Sequence, residues 1–280
     1  EAVRQTNKRL DIPLLVGGKE IRTGQTGHSI CPHNHHHILA DFHQGGAREV
    51  QQAIDAALAA KPAWEAMAWN ERAAIFLKAA DLVSKKYRFT LNVSTMLNQS
   101  KNIFQAEIDS ACELADFLRF NVGYMQQIYA DQPSNPSSGI WNRSDYRPLE
   151  GFIFAVTPFN FTAIAGNLPT SAAMMGNVVV WKPASTSILS SWYVMQVLRE
   201  AGLPDGVINF IPGPGSKIGP VIFENKHLAG IHFTGSTAVF KHMWQSIGQN
   251  IDRYRTYPRI VGETGGKDFV FVHSSANIRS

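Results

Sequence analysis

The sequence predicts an α/β protein in which a Rossmann-like parallel sheet carries helices on both faces. Four short apolar runs rich in Val, Ile and Phe alternate with helix-like segments after position 150, namely GFIFAVTP, GNVVVWKP, GVINFIPG and AGIHFTGS. This alternation is typical of parallel strands that are buried on both faces and joined by right-handed crossovers. With 280 residues, of which 44% are hydrophobic, the chain can bury the core that this fold requires.

The residues before the sheet predict short strands, then a helical region, then an extended arm. The first 45 residues hold short apolar runs broken by turn residues. From Ala47 onward apolar residues recur at a spacing of four, which predicts a helix, and a second helix follows with Asn70 as its N-cap. Residues 105–129 predict a further helix. The Pro- and Ser-rich start of segment 131–150 predicts a loop that leads into the arm.

Helices are also predicted between the four apolar runs. The first connecting segment reads TAIAGNLPTSAAMM, the second reads TSILSSWYVMQVLREAG, and the third covers residues 216–224. Gly202 followed by Pro204 is a stop signal for the second of these helices, because glycine tolerates the left-handed conformation of a helix end and proline cannot continue a helix.

Composition and charge exclude several classes of partner. The net charge of +4 is modest and the basic residues are scattered, so the sequence predicts no nucleic-acid surface. Cys31 and Cys112 form neither a CxxC motif nor a disulfide framework, which is typical of a reducing compartment. No signal-peptide pattern opens the chain and no apolar run reaches about 18 residues. The sequence therefore predicts a soluble, intracellular protein, with no membrane partner.

Candidate binding residues follow the predicted strands. Ligands of open parallel sheets bind beyond the carboxyl ends of the strands. The residues at these positions are Thr157, Asn160, Lys182, Gly215, Gly235, Ser236 and Thr237. The glycine turn before the last helix can present N–H groups to a phosphate, although such a turn is more often a plain helix cap. No GxGxxG fingerprint follows the first strand, so this pattern alone does not identify the nucleotide.

Five motifs in a fixed order carry a resemblance to the aldehyde dehydrogenase superfamily: TPFNF, VVVWKPA, EAGLPDGVINFIPGPG, FTGST and GETGGK. The longer strings around them, and AEIDSACELADFLRFN, are closely similar to the 1-pyrroline-5-carboxylate dehydrogenase branch. The resemblance covers nearly the whole chain. It implies NAD-dependent oxidation of an aldehyde substrate, L-glutamate γ-semialdehyde, to L-glutamate in proline catabolism, by a homodimer or higher homo-oligomer in the cytoplasm, or in the mitochondrial matrix of a eukaryote.

The resemblance also implies roles for two catalytic residues. Asn160 matches the family asparagine whose amide donates to the oxyanion that forms when a cysteine attacks the aldehyde. From the residues alone, Asn160 could instead cap the following helix. Glu263 matches the general base for thioester hydrolysis, and its flanking glycines let the backbone approach the nicotinamide. The alternative for Glu263 is an exposed acid in a turn.

The implied cofactor is NAD, held at the strand ends. Lys182 matches the lysine that binds the adenosine ribose, Thr157 lies near the nicotinamide half, and Gly235 and Ser236 match the pyrophosphate turn. Gly215 and Thr237 complete the predicted set.

Two residues depart from the family pattern. Ser185 stands where many relatives carry a glutamate that would repel a 2′-phosphate, so NADP is not excluded. Phe240 replaces the second glycine of the usual GSTxxG turn, a change that suits the pyrroline-carboxylate branch.

The family pattern divides the chain and leaves it without a nucleophile. Residues 1–262 are predicted to form the NAD-binding domain, with an oligomerisation arm at 131–150, and residues 263–280 to begin the catalytic domain. The nucleophilic cysteine of the family follows GETGGK in a motif that this sequence does not contain. Cys31 and Cys112 lie far from it, and Cys112 is expected to be a small buried hydrophobe.

We therefore expect a truncated part of a longer enzyme, inactive alone. Another NAD(P)-dependent aldehyde dehydrogenase and a non-catalytic nucleotide-binding or assembly module remain alternative hypotheses.

A histidine-rich segment near the start resembles a metal-ligand set. It contains Cys31, His33, His35, His36 and His37. Zinc requires three or four ligands in a defined geometry, and neighbouring side chains in a strand point to opposite faces. We therefore predict no metal site.

Overall fold

A seven-stranded sheet is the central feature of the fold in a computed structural model that describes residues 9–266, 269–277 and 279. The strands of the described residues, in chain order, are β1 (Leu10–Ile12), β2 (Leu14–Val16), β3 (Lys19–Ile21), β4 (Thr26–Cys31), β5 (Asn34–His43), β6 (Phe152–Val156), β7 (Val178–Lys182), β8 (Ile208–Phe210), β9 (Leu228–Gly235) and β10 (Arg259–Thr264). The large sheet has the order β10-β9-β6-β7-β8-β2-β3, and β1, β5 and β4 form a separate three-stranded sheet.

Helices cover the large sheet and build the region before it. They are α1 (Ala47–Ala66), α2 (Trp69–Ser84), α3 (Arg88–Gln99), α4 (Ile103–Ala106), α5 (Leu114–Ala130), α6 (Thr162–Met174), α7 (Ile188–Ala201), α8 (Gly215–Phe223) and α9 (Thr237–Gln249). A π-helical segment, Glu107–Glu113, joins α4 to α5, and Ser185–Ser187 and Ile251–Arg253 are short 3₁₀ turns. Across the described part of the chain, no helix is both long enough and apolar enough to cross a membrane.

The predicted α/β class is confirmed, and the four predicted sheet strands are β6, β7, β8 and β9. All of them run parallel to their neighbours within this group, and β10 adds a fifth parallel strand. Their side chains are almost entirely buried, as expected for a sheet covered on both faces. The edge of the sheet is not parallel, because β2 pairs antiparallel with β8 and with β3.

Three details of the helical region differ from the sequence prediction. Helix α2 begins at Trp69 with Ala68 as its N-cap, so the prediction that Asn70 caps it is wrong. Helix α3 was not predicted. The predicted 105–129 helix is interrupted by the π-helical segment, a feature with wider turns that is frequent at functional sites. The stop signal at Gly202 is confirmed, since this residue is the C-cap of α7 with φ +100°.

Segment 131–150 is exposed and contains no regular strand or helix. Its ends are held together because the Tyr146 hydroxyl donates to the Asp131 carbonyl at 2.7 Å. The side chain of Trp141 is 79% exposed. This geometry suits the predicted arm, whose role in assembly remains a prediction.

Candidate functional site

One cavity of about 1500 Å³ opens at the carboxyl ends of the parallel strands. All the predicted site residues except Ser185 line it: Thr157, Asn160, Lys182, Gly215, Gly235, Ser236, Thr237 and Glu263. Ser185 begins the short 3₁₀ turn beside Ala184, which does line the cavity. Lys267, the last residue of the GETGGK motif, lies outside the described residues.

Strand register explains why residues so distant in sequence meet. Strand β6 lies between β7 and β9, and its last residue, Val156, is level with Lys182 on one side and with Phe233 on the other. Strand β10 extends the same edge, where Glu263 is level with Thr234. Because parallel strands end at a common edge, the polar residues at their ends converge.

Thr157 is held in place by a residue that sequence reasoning missed. The buried Trp181 indole N–H donates to the Thr157 hydroxyl at 3.0 Å, and the Thr157 amide donates to the Lys182 carbonyl at 3.3 Å. A buried indole N–H normally needs an acceptor, so the Thr157 hydroxyl satisfies it. The sequence shows Trp181 near the end of the VVVWKP strand, but it does not show that the indole pairs with Thr157.

Lys182 is a partly buried ammonium group at the cavity. Its Nζ donates to the carbonyl of Pro183 at 3.1 Å, and its stem lies beside Gly215. Burial lowers the pKa of Lys182 to about 8, since desolvation disfavours the charged form. An anionic or polyhydroxyl ligand in the cavity would supply the partners that this ammonium lacks.

Two helix N-termini face the cavity. Helix α8 begins at Gly215, and α9 begins after Ser236. The Ser236 hydroxyl accepts from the amide of Val239 at 3.3 Å, so this serine caps α9, as the alternative interpretation held. Capping leaves the first backbone N–H groups and the positive end of the helix dipole available to an anion. Gly235 is also required sterically, because a Cβ there would lie 2.7 Å from the ring of Phe233.

Asn160 is exposed at the cavity and does not cap the following helix. The N-cap of α6 is Phe161, which makes no side-chain capping bond. The first N–H groups of α6 donate instead to the buried carboxylate of Asp109, which belongs to the π-helical segment. The Asn160 side chain is therefore left for a ligand rather than for the helix. Sequence reasoning missed Asp109, because it lies about 50 residues earlier in the chain.

Glu263 lies within strand β10, not in a turn after it, and its side chain is exposed at the cavity. A glycine is required before Glu263 for steric reasons. A Cβ on Gly262 would lie 2.2 Å from the ring of Phe240. That ring in turn stacks on Phe233, with centroids 5.8 Å apart. Phe240, the departure from the family turn, therefore fills the space that Gly262 leaves open.

The cysteines and histidines form no metal centre in the part of the chain that is described, where no group of three or more potential ligands was found. Cys31 is buried with its sulfur 3.2 Å from Nε2 of His33, whose Nδ1 is 2.9 Å from the Ser100 hydroxyl. Cys112 is exposed, so the prediction that it is buried is wrong. Cys112 lies in the π-helical segment, whose wider turns change the spacing of the side chains that face the core.

The chain is similar in sequence to aldehyde dehydrogenases, and among them to delta-1-pyrroline-5-carboxylate dehydrogenases. The sequence profile described as Aldehyde dehydrogenase family matches residues 21–280. Over 271 residues the chain is 54% identical to a probable delta-1-pyrroline-5-carboxylate dehydrogenase of Schizosaccharomyces pombe, covering 96% of this chain and 50% of the relative. It is 46% identical to the mitochondrial delta-1-pyrroline-5-carboxylate dehydrogenase of Homo sapiens, covering 100% and 50%. The chain thus spans about half the length of the curated relatives it matches.

Solved structures that resemble this chain are also pyrroline-5-carboxylate dehydrogenases. The delta-pyrroline-5-carboxylate dehydrogenase of Mycobacterium tuberculosis, in a crystal structure bound with NAD, superposes with a TM-score of 0.94 at 49% identity, covering 99% of this chain and 52% of that protein. A 1-pyrroline-5-carboxylate dehydrogenase from Thermus with bound NAD gives a TM-score of 0.89 at 28% identity, covering 95% and 52%.

Proposed function

Because the chain belongs to the aldehyde dehydrogenase family, we propose that it is the NAD-binding part of an enzyme that oxidises L-glutamate γ-semialdehyde to L-glutamate with NAD. The observation that carries this proposal is the single cavity that gathers Asn160, Lys182, Glu263 and the start of α9. The relatives named above support the substrate. We also propose that residues 1–262 form the NAD-binding domain and that residues 263–280 begin the catalytic domain.

The residues at the cavity fit a dinucleotide. The N-termini of α8 and α9 offer backbone N–H groups to a pyrophosphate, whereas the N-terminus of α6 is already taken by Asp109. Lys182, which lines the same cavity, would donate to the hydroxyls of a ribose. Thr157 would lie towards the nicotinamide half, near Asn160 and Glu263. When bound, NAD supplies the hydride acceptor.

Two side chains of the cavity would act in the reaction of the aldehyde, one on the substrate oxygen and the other on water. The amide of Asn160 would donate to the oxyanion that develops on the substrate oxygen, and one such donor typically contributes about 2.7–4 kcal/mol. The exposed carboxylate of Glu263 would take a proton from the water that hydrolyses the thioester. The nucleophilic cysteine would be supplied by the remainder of the whole protein that contains this chain.

The function is tested by mixing the whole protein with glutamate γ-semialdehyde and NAD and following the formation of NADH. We expect turnover, with slower oxidation of acetaldehyde and of other semialdehydes at matched concentrations. Preference for another aldehyde would favour a different aldehyde dehydrogenase. Nucleotide binding without any aldehyde oxidation would favour the non-catalytic module.

Glu263→Gln provides the sharper test of the mechanism. In the whole protein, this variant should give a pre-steady-state burst of NADH followed by slow turnover, because only hydrolysis needs the base. A slower burst with unchanged hydrolysis would contradict the assignment of Glu263 as the base.

We further propose that the exposed segment 131–150 is an arm through which copies of the whole protein assemble, as a homodimer or a larger homo-oligomer. Its exposed Trp141 is the contact that we expect to be buried in the assembly. The names of several eukaryotic relatives state that they are mitochondrial. If the source is eukaryotic, we place the protein in the mitochondrial matrix, and otherwise in the cytoplasm.

A further inference from the structure

The N-terminus of α6 is held by a carboxylate from another part of the chain. Asp109 is 1% exposed, and its two oxygens accept from the amide of Thr162 at 2.9 Å and from that of Ala163 at 2.8 Å. These amides lie two and three residues after Asn160. The position of the catalytic-site loop Pro158–Phe161 relative to the sheet is therefore fixed at its far end by Asp109.

Lys101 forms an ion pair with the same carboxylate. Its Nζ lies 2.7 Å from Oδ2 of Asp109, and its side chain is only 15% exposed. The same ammonium lies 4.0 Å from the centroid of the Phe161 ring, within the range of a cation–π contact. One cation thus contacts both the carboxylate that holds α6 and the residue next to Asn160.

Further hydrogen bonds hold the start of α6. The hydroxyl of Thr162 is 2.8 Å from the hydroxyl of Thr95, and it accepts from Gln99 Nε2 at 2.8 Å. The residue before Lys101 is Ser100, which adopts φ +54° as the left-handed C-cap of α3. A non-glycine residue in this conformation persists only where surrounding contacts enforce it. The contacts around Ser100, which include one with His33, therefore hold the backbone that presents Lys101.

We propose that Lys101 and Asp109 are positioning residues that orient the Asn160 amide. This inference rests on the proposed function, since it assigns the pair to the oxyanion donor of that reaction. The physical reason is that the Asp109 carboxylate is satisfied by two N–H groups and one ammonium, so it holds the start of α6 in one place. An oxyanion donor acts only when it is correctly aligned, and displacement by about 1 Å can reduce the rate by on the order of a hundredfold.

The main test is Lys101→Met in the whole protein. We expect the rate of the NADH burst to fall by roughly tenfold to a hundredfold, with NAD affinity unchanged because neither residue of the pair lines the cavity. Hydrogen exchange in the peptide that spans residues 159–165 should become faster. Lys101→Arg should restore much of both properties, since it keeps the charge.

Lys85→Met is the matched control. Lys85 also pairs with an aspartate, Asp81, at 3.1 Å, but this ion pair is exposed. We expect the control to leave the burst and the exchange of residues 159–165 unchanged. The double variant Lys101→Met/Asp109→Asn removes both charges of the buried pair, so that it tests the idea without leaving an uncompensated buried charge.

The outcomes separate this inference from the proposed function. A burst rate unchanged in both Lys101→Met and the double variant would show that the pair only stabilises α6, and would overturn the inference. Unchanged exchange at residues 159–165 would overturn it as well. If the unmodified protein oxidises no aldehyde, the proposed function fails, and the exchange measurement still decides whether the pair holds the loop.

Discussion

Replacing Lys182 by methionine is expected to stabilise the protein while it weakens NAD binding. Methionine keeps the length of the side chain and removes the buried charge. In the folded protein, burial lowers the pKa of Lys182 from 10.5 to about 8. Below pH 8 the folded protein therefore carries a charge that burial disfavours, whereas the unfolded chain carries the same charge in water.

The magnitude follows from this difference in pKa. One pKa unit corresponds to about 1.4 kcal/mol, so the buried ammonium destabilises the folded state by roughly 3 kcal/mol at pH 7. The hydrogen bond from Nζ to the Pro183 carbonyl, which the variant loses, offsets about 1 kcal/mol of this. We therefore expect Lys182→Met to raise the free energy of unfolding by roughly 2 kcal/mol at pH 7.

Between pH 8 and pH 10.5 the unfolded lysine binds more protons than the folded one, so the stability of the unmodified protein should rise with pH across this window. Lys182→Met should not share that rise, so its advantage should disappear near pH 10.5. Lys217→Met, which alters an exposed lysine on α8, is the control and should change neither the stability nor its pH dependence by much.

The affinity for NAD should fall in Lys182→Met, although the stability of the variant rises. Loss of a hydrogen bond from a charged group typically weakens binding by about 1.5–3 kcal/mol, or roughly tenfold to over a hundredfold. In the unmodified protein, NAD affinity should fall as pH rises above 8, because the neutral lysine must take up a proton on binding. In Lys182→Met it should be independent of pH through this range.

Urea unfolding at several pH values and calorimetric titration with NAD measure the two effects. Titration in buffers of different ionisation enthalpy counts the proton taken up by the unmodified protein above pH 8. The reasoning would be refuted if Lys182→Met bound NAD as tightly as the unmodified protein, or if no proton were taken up.

Three further changes test other parts of the site and the arm. Ser185→Glu should leave NAD binding measurable while it excludes NADP, because a carboxylate would face the 2′-phosphate; unchanged NADP use in a titration would place the ribose elsewhere. Gly262→Ala should destabilise β10 by about 1–3 kcal/mol, since its Cβ would meet the Phe240 ring, and Phe240→Ala in the same chain should recover part of the loss in thermal unfolding. Trp141→Ser should shift the whole protein to smaller species in sedimentation, and an unchanged mass would remove the arm from the assembly.

Several residues of the site could be predicted from the sequence because they follow strands. Strand ends can be located from apolar runs, and parallel strands end at one edge, so Thr157, Lys182 and Gly235 could be assigned to a common cavity before their positions were known. The assignment of Glu263 depended on the family motif. Its location inside β10 rather than in a turn was beyond the sequence, because glycine-rich segments are compatible with both.

The helical region was less predictable because its details depend on packing. Asn70 has the right chemistry for an N-cap, yet the N-cap of α2 is Ala68, two residues earlier, and the first helical residue, Trp69, stacks on Tyr129. The π-helical segment changes which side chains face inward, so Cys112 is exposed and Asp109 is buried. Local periodicity carries no information on such a shift.

The sequence by itself determined the α/β class, the parallel strands and the polar residues at their ends, because these depend on local patterns of burial and turn formation. Only the tertiary structure decided what holds those residues in place. Asp109 caps α6, Trp181 satisfies Thr157, and Phe240 occupies the space above Gly262. Each of these contacts joins residues more than 20 positions apart, so it exists only once the chain has folded, and no local pattern encodes it.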